Sequence, residues 1–380
     1  MTAVWSVCAS SFQPNKRDFL HKQPLCLIEL LTRGADCRAS ALLPLRQMSD
    51  LYPLLMRPLF DPRPWGTLDL SPVYPGHRFD EEIGEAWLTG NNCKVANGPL
   101  REQSLAELSQ KYGGDLVGNS VKNQKQFPLL MKFLFPREKL SVQVHPDDMC
   151  AEKAGLPCGK TECWYIAHAK PGAQIGLGLK PGVTLQQFEH AIQEQRAEEL
   201  LNWLNVFPGE MIYVAGGTVH TLGPGSIIVE TQQQSDTTYR LYDYGRPREL
   251  HLKEGLAAVK ERVSSGKVVR PAPVQMNGTR SLRSQLIAAP YFAVDLYGLK
   301  DVQEFQTHDD SGHSSVQILV AVEGCGIVET EGTEPVTFAK GDAVAVPACA
   351  GKFSVRPQWS IEFLKSSVPG RQLGEPATRM

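Results

Sequence analysis

Gln143 and His145 stand two apart in the stretch SVQVHPDD, residues 141–148. Side chains alternate across a strand, so both project to one face while Val142 and Val144 project to the other. Two valines turned to a core and two polar groups turned to a cavity is one consistent reading of the segment; a buried, internally satisfied histidine is the plainer one. What lies downstream favours the first. Glu162 opens the apolar run ECWYIAHA, and His220 closes FPGEMIYVAGGTVH, in which Gly209 and Gly217 frame a turn that would set the imidazole at a barrel mouth. Two imidazoles, a carboxylate and an amide oxygen form an N/O donor set for a divalent metal, zinc above all, and a set without cysteine suits an open, catalytic site better than a closed, structural one.

The chain carries an internal control. KGDAVAVPACAGKFSV has the same skeleton as the His220 stretch, and aligning Gly341 with Gly209 puts Lys352 where His220 stands. The framework repeats without the histidine, so the framework does not require it.

The elements that must position these residues are short and β-rich. LLMKFLF, LSVQVH, ECWYIAHA, AQIGLGL, EMIYVAG and SIIVETQQ read as strands. A second block over about 282–367 repeats short alternating strands with glycine turns, the pattern of a sandwich or barrel. REQSLAELSQKYGG has helical spacing at Leu105, Leu108 and Tyr112. TLQQFEHAIQEQ opens a helix at an N-capping Thr184, and RAEELLNWL is expected to continue helical to about residue 204. Another helix is expected near KEGLAAVKERV. The pattern divides the chain into a leader at 1–47, disordered or a mis-assigned start, a first β-rich domain at 48–263, a linker at 264–280 and a second β-rich domain at 281–380.

Composition narrows the class. At 380 residues the chain is long enough for two or three domains and a sizeable core, and its net charge of −2 excludes a broad nucleic-acid or membrane-surface role. Nine cysteines fall without paired spacing, which fits reduced thiols and a cytoplasmic protein. No apolar run approaches the roughly 20 residues of a spanning helix.

From about Leu51 to its C-terminus the chain resembles the zinc-dependent mannose-6-phosphate isomerases of type I, in their short bacterial form. SVQVHPDD, GKTECWYIAHAKPGA, GLKPGV and IVETQQQSDTTYRLYDYGRPRELH carry the resemblance. It implies a mainly β fold of two cupin (jelly-roll) barrels with a small helical insertion near 184–204, the second barrel lacking metal ligands. It implies one zinc per chain, held by Gln143, His145, Glu162 and His220. The family's essential arginine falls on Arg240, its pocket lysines on Lys132 and Lys160, and a phosphate-linked serine on Ser141. Glu230 and Asp236 fall on acidic positions near the pocket. The sequence departs from the family at Ala215, where proline is usual, at Pro224, where asparagine is common, and in lacking the long helical domain of the larger type I enzymes.

The implied reaction moves protons between C1 and C2 and between O1 and O2 of a sugar phosphate through an enediol(ate). Arg240 would stabilise charge on oxygen, and Lys132, Lys160 and Ser141 would take the phosphate. Glu230, Asp236 and Lys132 all stand as candidates for the carbon base, with Asp243 as an outside candidate; Asp147 and Asp148 read as loop-holding residues. The competing class is a non-catalytic bicupin that binds a sugar or effector; it shares the barrel but has no need of Arg240 and the lysines together. The expected partner is a small sugar phosphate, with no nucleic acid and no membrane, for a monomer or homodimer.

Overall fold

The computed structural model describes residues 50–276 and 278–380; the expectation for the leader at 1–47 lies outside the described residues. The strands assemble into three antiparallel sheets of five, eight and ten strands. In the five-stranded sheet the order is Tyr239–Tyr242, Val142–Val144, His220–Leu222, Gln174–Leu179, Leu201–Asn205. At the centre of the eight-stranded sheet lie Ile83–Trp87, Leu129–Leu134, Ser226–Gln233, Glu162–Ala169 and Met211–Val214, in that order.

These two sheets face each other across one apolar layer. Leu134, Trp164, Ile166, Ile212 and Ile228 from the larger sheet meet Ile175, Leu177 and Leu222 from the smaller. The outer face of the five-stranded sheet is covered in turn. Val142 and Val144 pack there with Phe188 and Ile192 of the helix Leu185–Gln193 and with Ala258 of the helix Leu252–Ala258. The alternation of SVQVH therefore places its valines against helices and its polar residues between the two sheets.

The opposite face of the eight-stranded sheet, with Met131, Phe133, Tyr165 and Tyr213, joins the largest core cluster. That cluster also takes in Leu105 and Leu108 of the helix Leu105–Tyr112, and Ile318, Val320, Ala343 and Ala345 of the ten-stranded sheet. The ten-stranded sheet holds the strands of the second β-rich block together with Leu54–Arg57, which pairs with Ala343–Val346. A further apolar cluster, including Phe338, Phe353 and Phe363, lies within that block.

Thr184 caps its helix as the sequence implies, its hydroxyl accepting from the Gln187 amide in a reciprocal capping box. The stretch after it differs from expectation. Ala197–Leu200 is a single 3-10 turn, and Leu201–Asn205 is a strand paired with Gln174–Leu179. The leucine spacing permits a helix, but an open sheet edge beside the segment offers the backbone partners, and Trp203 favours the strand. Gly209 and Gly341 both adopt positive φ, +85° and +93°, in the turns before equivalent strands, so the two halves share their turn chemistry. Lys352 begins a strand at an exposed position.

Candidate active site

Cross-strand register brings the polar residues of the five-stranded sheet into one row. Gln143 lies opposite His220 on one side and opposite Arg240 on the other. Directly opposed residues share a face, so the three project together between the sheets. The eight-stranded sheet answers with its own row: Lys132 lies opposite Trp87 and Glu230, and Glu230 opposite Trp164. Glu162, two residues before Trp164, projects to the same side.

His145, Glu162 and His220 meet where the two rows converge. All three are buried, and a ligand atom of each lies within 4.8 Å of the others. Each imidazole sets its Nδ1 against a backbone carbonyl, His145 on Thr237 at 2.9 Å and His220 on Thr218 at 3.0 Å. A carbonyl only accepts, so Nδ1 carries the proton and Nε2 turns its lone pair inward. Lys160 Nζ donates to His145 Nε2 at 3.1 Å, and the Gln143 amide donates to His220 Nε2 at 3.1 Å. Glu162 Oε2 is buried without a hydrogen-bond partner, 3.5 Å from both His145 Nε2 and Lys160 Nζ.

The protonation energetics agree with this arrangement. Burial, reinforced by the Lys160 charge, holds His145 well below the usual histidine range, and burial brings His220 down to about 3. Burial and the neighbouring Glu230 push Glu162 up to about 8. Two neutral imidazoles with inward lone pairs and a buried carboxyl with an unpartnered oxygen fit a divalent cation. Turning the Gln143 amide over would add its oxygen to the set, since its two ends are interchangeable in shape.

The cluster forms one wall of a cavity of about 340 Å³. Of the candidate residues from the sequence, Lys132, Ser141, Gln143, Lys160, Glu162, His220, Glu230, Asp236 and Arg240 line it, and His145 and Asp243 do not. Ser141 Oγ donates to Gln143 Oε1 at 3.2 Å, and Asp236 lies exposed on the rim. Lys160 stands against the His145–Glu162 pair. Lys132 is enclosed by two carboxylates, 3.2 Å from Glu230 and 3.3 Å from Glu85. Burial opposes its charge, but Glu230 and Glu85 outweigh burial and raise its pKa above the usual lysine range. Trp164 is both core and pocket floor, donating Nε1–H to Glu230 at 3.1 Å.

Glu85, Arg63 and Arg248 also line the cavity and escaped the sequence reading. Glu85 accepts from Trp87 Nε1 at 2.7 Å and from Arg63 Nε at 3.1 Å, besides pairing with Lys132. Its strand, IGEAW, is fully buried, and an acid inside such a run needs a buried partner. Asp243 is occupied by Arg246 at 3.0 Å and Arg248 at 2.7 Å. Arg240 Nη1 donates to the Glu249 carbonyl at 2.8 Å, while its buried Nε has no hydrogen-bond partner. Burial and the Arg248 charge lower its pKa.

Glu85 ties the site to acid stability. Burial alone would raise its pKa, but Lys132 and Arg63 bring it down to about 2, from 4.5. A depressed carboxyl contributes stability that is present above pH 4.5 and is lost as pH falls toward 2. At about 1.4 kcal/mol per unit that is about 3 kcal/mol. Glu85→Gln is expected to flatten the fall in stability between pH 4.5 and 2, read from urea midpoints across that range. An unchanged acid slope would refute the pairing.

The sheets and this site define a cupin barrel with a buried two-histidine, one-carboxylate cluster opening on a charged, sugar-sized cavity. Residues 71–157 match the model of the type I phosphomannose isomerase catalytic domain. The mannose-6-phosphate isomerase ManA of Bacillus subtilis is 33% identical over 330 residues, 80% of this chain and 95% of that one. A mannose-6-phosphate isomerase of Streptococcus mutans is 31% identical over 306 residues, 78% and 92% of the two chains. The crystal structure of the Bacillus subtilis mannose 6-phosphate isomerase superposes with a TM-score of 0.73 at 30% identity, covering 83% of this chain and 99% of that one. A zinc-bound mannose 6-phosphate isomerase at 16% identity shares the fold, with a TM-score of 0.66 over 83% and 99% of the chains. The chain belongs to the mannose-6-phosphate isomerase family.

Proposed function

We propose that this chain interconverts D-mannose 6-phosphate and D-fructose 6-phosphate with one zinc ion held by His145, Glu162, His220 and Gln143. The convergence of His145, Glu162 and His220 at one wall of the cavity carries the reading. When bound, the metal supplies Lewis-acid stabilisation of negative charge on the substrate oxygens.

The chain's own residues supply the proton chemistry. In the aldose-to-ketose direction a base takes the C2 proton and returns it to C1, while the O2 proton passes to O1. Glu230 is our assignment for the base. Its carboxylate is buried in the cavity and steered by the Trp164 N–H and the Lys132 ammonium. Lys132, held charged between two carboxylates, is a fixed electrostatic partner and not a proton acceptor. Asp236 remains the second choice, on the exposed rim. Arg240 faces the same space and stabilises the developing oxyanion. Arg63 and Arg248 join Ser141 and Lys160 as donors for the phosphate, because all four line the cavity.

A non-catalytic bicupin would not need a buried carboxylate poised beside an ion-paired lysine. Cys93, Cys150, Cys158, Cys163 and Cys325 form no disulfide, which supports a cytoplasmic setting, and no helix among the described residues is long and apolar enough to cross a membrane. The test is a comparison of kcat/KM for mannose 6-phosphate against unphosphorylated mannose. Turnover with a strong preference for the phosphate is expected, and binding without turnover would favour the effector-binding alternative.

A further inference from the structure

We infer that Asp148, anchored by Tyr291 of the second β-rich block, is a positioning residue that clamps the loops carrying the metal ligands; this rests on the metal-site reading above. The two aspartates of HPDD have no part in the proton chemistry, yet both are fully engaged. His145, Glu162 and His220 each adjoin a loop, and the three loops interlock behind the ligands. Gly217 N–H donates to the His145 carbonyl at 2.8 Å, Lys160 N–H to the Pro146 carbonyl at 2.9 Å, and Gly216 N–H to Thr161 Oγ1 at 3.2 Å. The backbones approach so closely that a Cβ on Gly159 would lie 2.6 Å from Asp147 and Asp148 backbone atoms, and one on Gly216 2.7 Å from the Asp147 Cα.

The aspartates fasten this stack. Asp147 caps the helix Asp148–Lys153 by accepting from the Cys150 amide at 2.8 Å, and it pairs with Lys260, whose own N–H donates to the Gly217 carbonyl at 2.9 Å. Asp148 works across loops. Its Oδ1 accepts from the Gly159 amide at 2.8 Å and from Gln233 Nε2 at 3.1 Å. Gln233 Oε1 in turn accepts from the Thr161 amide at 2.8 Å, one residue before Glu162. The remaining oxygen, Oδ2, accepts from Tyr291 Oη at 2.7 Å. Tyr291 lies between the strands Leu282–Ala288 and Ala293–Leu299, so the block that lacks metal ligands holds the loops that bear them.

Outer partners of metal ligands fix the geometry and so the residence of the ion. Asp148 and Tyr291 both border a second cavity of about 350 Å³, so water can hydrate an oxygen left without its phenol, and Tyr291→Phe should fold. The experiment loads the full chain with zinc and follows its release to an excess of chelator, with the thermal midpoint of the metal-free protein as a check on folding. Asp148→Ala is expected to speed release by roughly tenfold or more. Tyr291→Phe is expected to act in the same direction, and Asp148→Asn, which keeps an oxygen for the Gly159 amide, to restore most of the loss. Metal-free midpoints should stay close to wild type. Tyr297→Phe, in the separate core of the second block, should release zinc at the wild-type rate. Release unchanged in Asp148→Ala and Tyr291→Phe, or equally fast in Tyr297→Phe, would overturn the clamp while leaving the metal site standing. A wild-type chain that takes up no zinc would overturn both.

Discussion

His220→Ala and His145→Ala are each expected to lose bound metal and isomerase activity together, with kcat/KM falling at least about a thousandfold, the several kcal/mol that Lewis-acid stabilisation is worth. The reason lies in how little else could hold the ion. The cluster draws on both sheets: the two imidazoles come from the five-stranded sheet and its adjoining loop, and the carboxylate from the eight-stranded one. Removing one imidazole leaves Glu162 with a single imidazole beside it and opens a polar void. Each ring is also pre-set by its Nδ1 contact to Thr237 or Thr218, so no neighbouring side chain can take over the same lone-pair direction. Metal analysis and rate measurement on the same preparation decide the matter. Full zinc content in both variants would reject the ligand set.

Arg240→Ala is expected to lower kcat by about 10²–10³ while metal content stays at the wild-type level, the range set by losing one donor to a developing oxyanion. Arg240 is built into the strand beside Gln143, its Nη1 is anchored on the Glu249 carbonyl, and its buried Nε has no hydrogen-bond partner. With that Nε 4.0 Å from Asp243 Oδ2, the guanidinium is a fixed cation at the cavity wall. Arg240→Lys should recover little, since an ammonium cannot reproduce both the anchor and the fork. Near-normal turnover in Arg240→Ala would remove its catalytic role, and loss of zinc along with activity would move it to a structural one.

Which of the candidate residues share a face was legible in the sequence because strand periodicity is local. Gln143 and His145 had to share a face, and Val142 and Val144 had to take the other, whatever the tertiary arrangement; the helix-packed valines are what that rule required. His220 stood out because the repeat around Gly341 does without a histidine. What stayed hidden depends on contacts between strands far apart in the chain. Glu85 acquires its role only when Ile83–Trp87 pairs beside Leu129–Leu134, so no spacing could announce it. The fate of Lys132 changes for the same reason. As a lone lysine in an apolar strand it served equally as phosphate donor or base, and only the two flanking carboxylates fix it as a held charge. The leucine spacing of Leu201–Asn205 is compatible with helix and strand alike, and the choice belongs to the free edge of Gln174–Leu179.

The most direct test of the whole account is the kcat/KM for mannose 6-phosphate measured on one preparation before chelation, after chelation and after zinc is returned. Turnover to fructose 6-phosphate is expected to disappear with the metal and to return when zinc is restored. Turnover that survives complete removal of metal, or a zinc-loaded protein that binds the sugar phosphate and leaves it unchanged, would contradict the account.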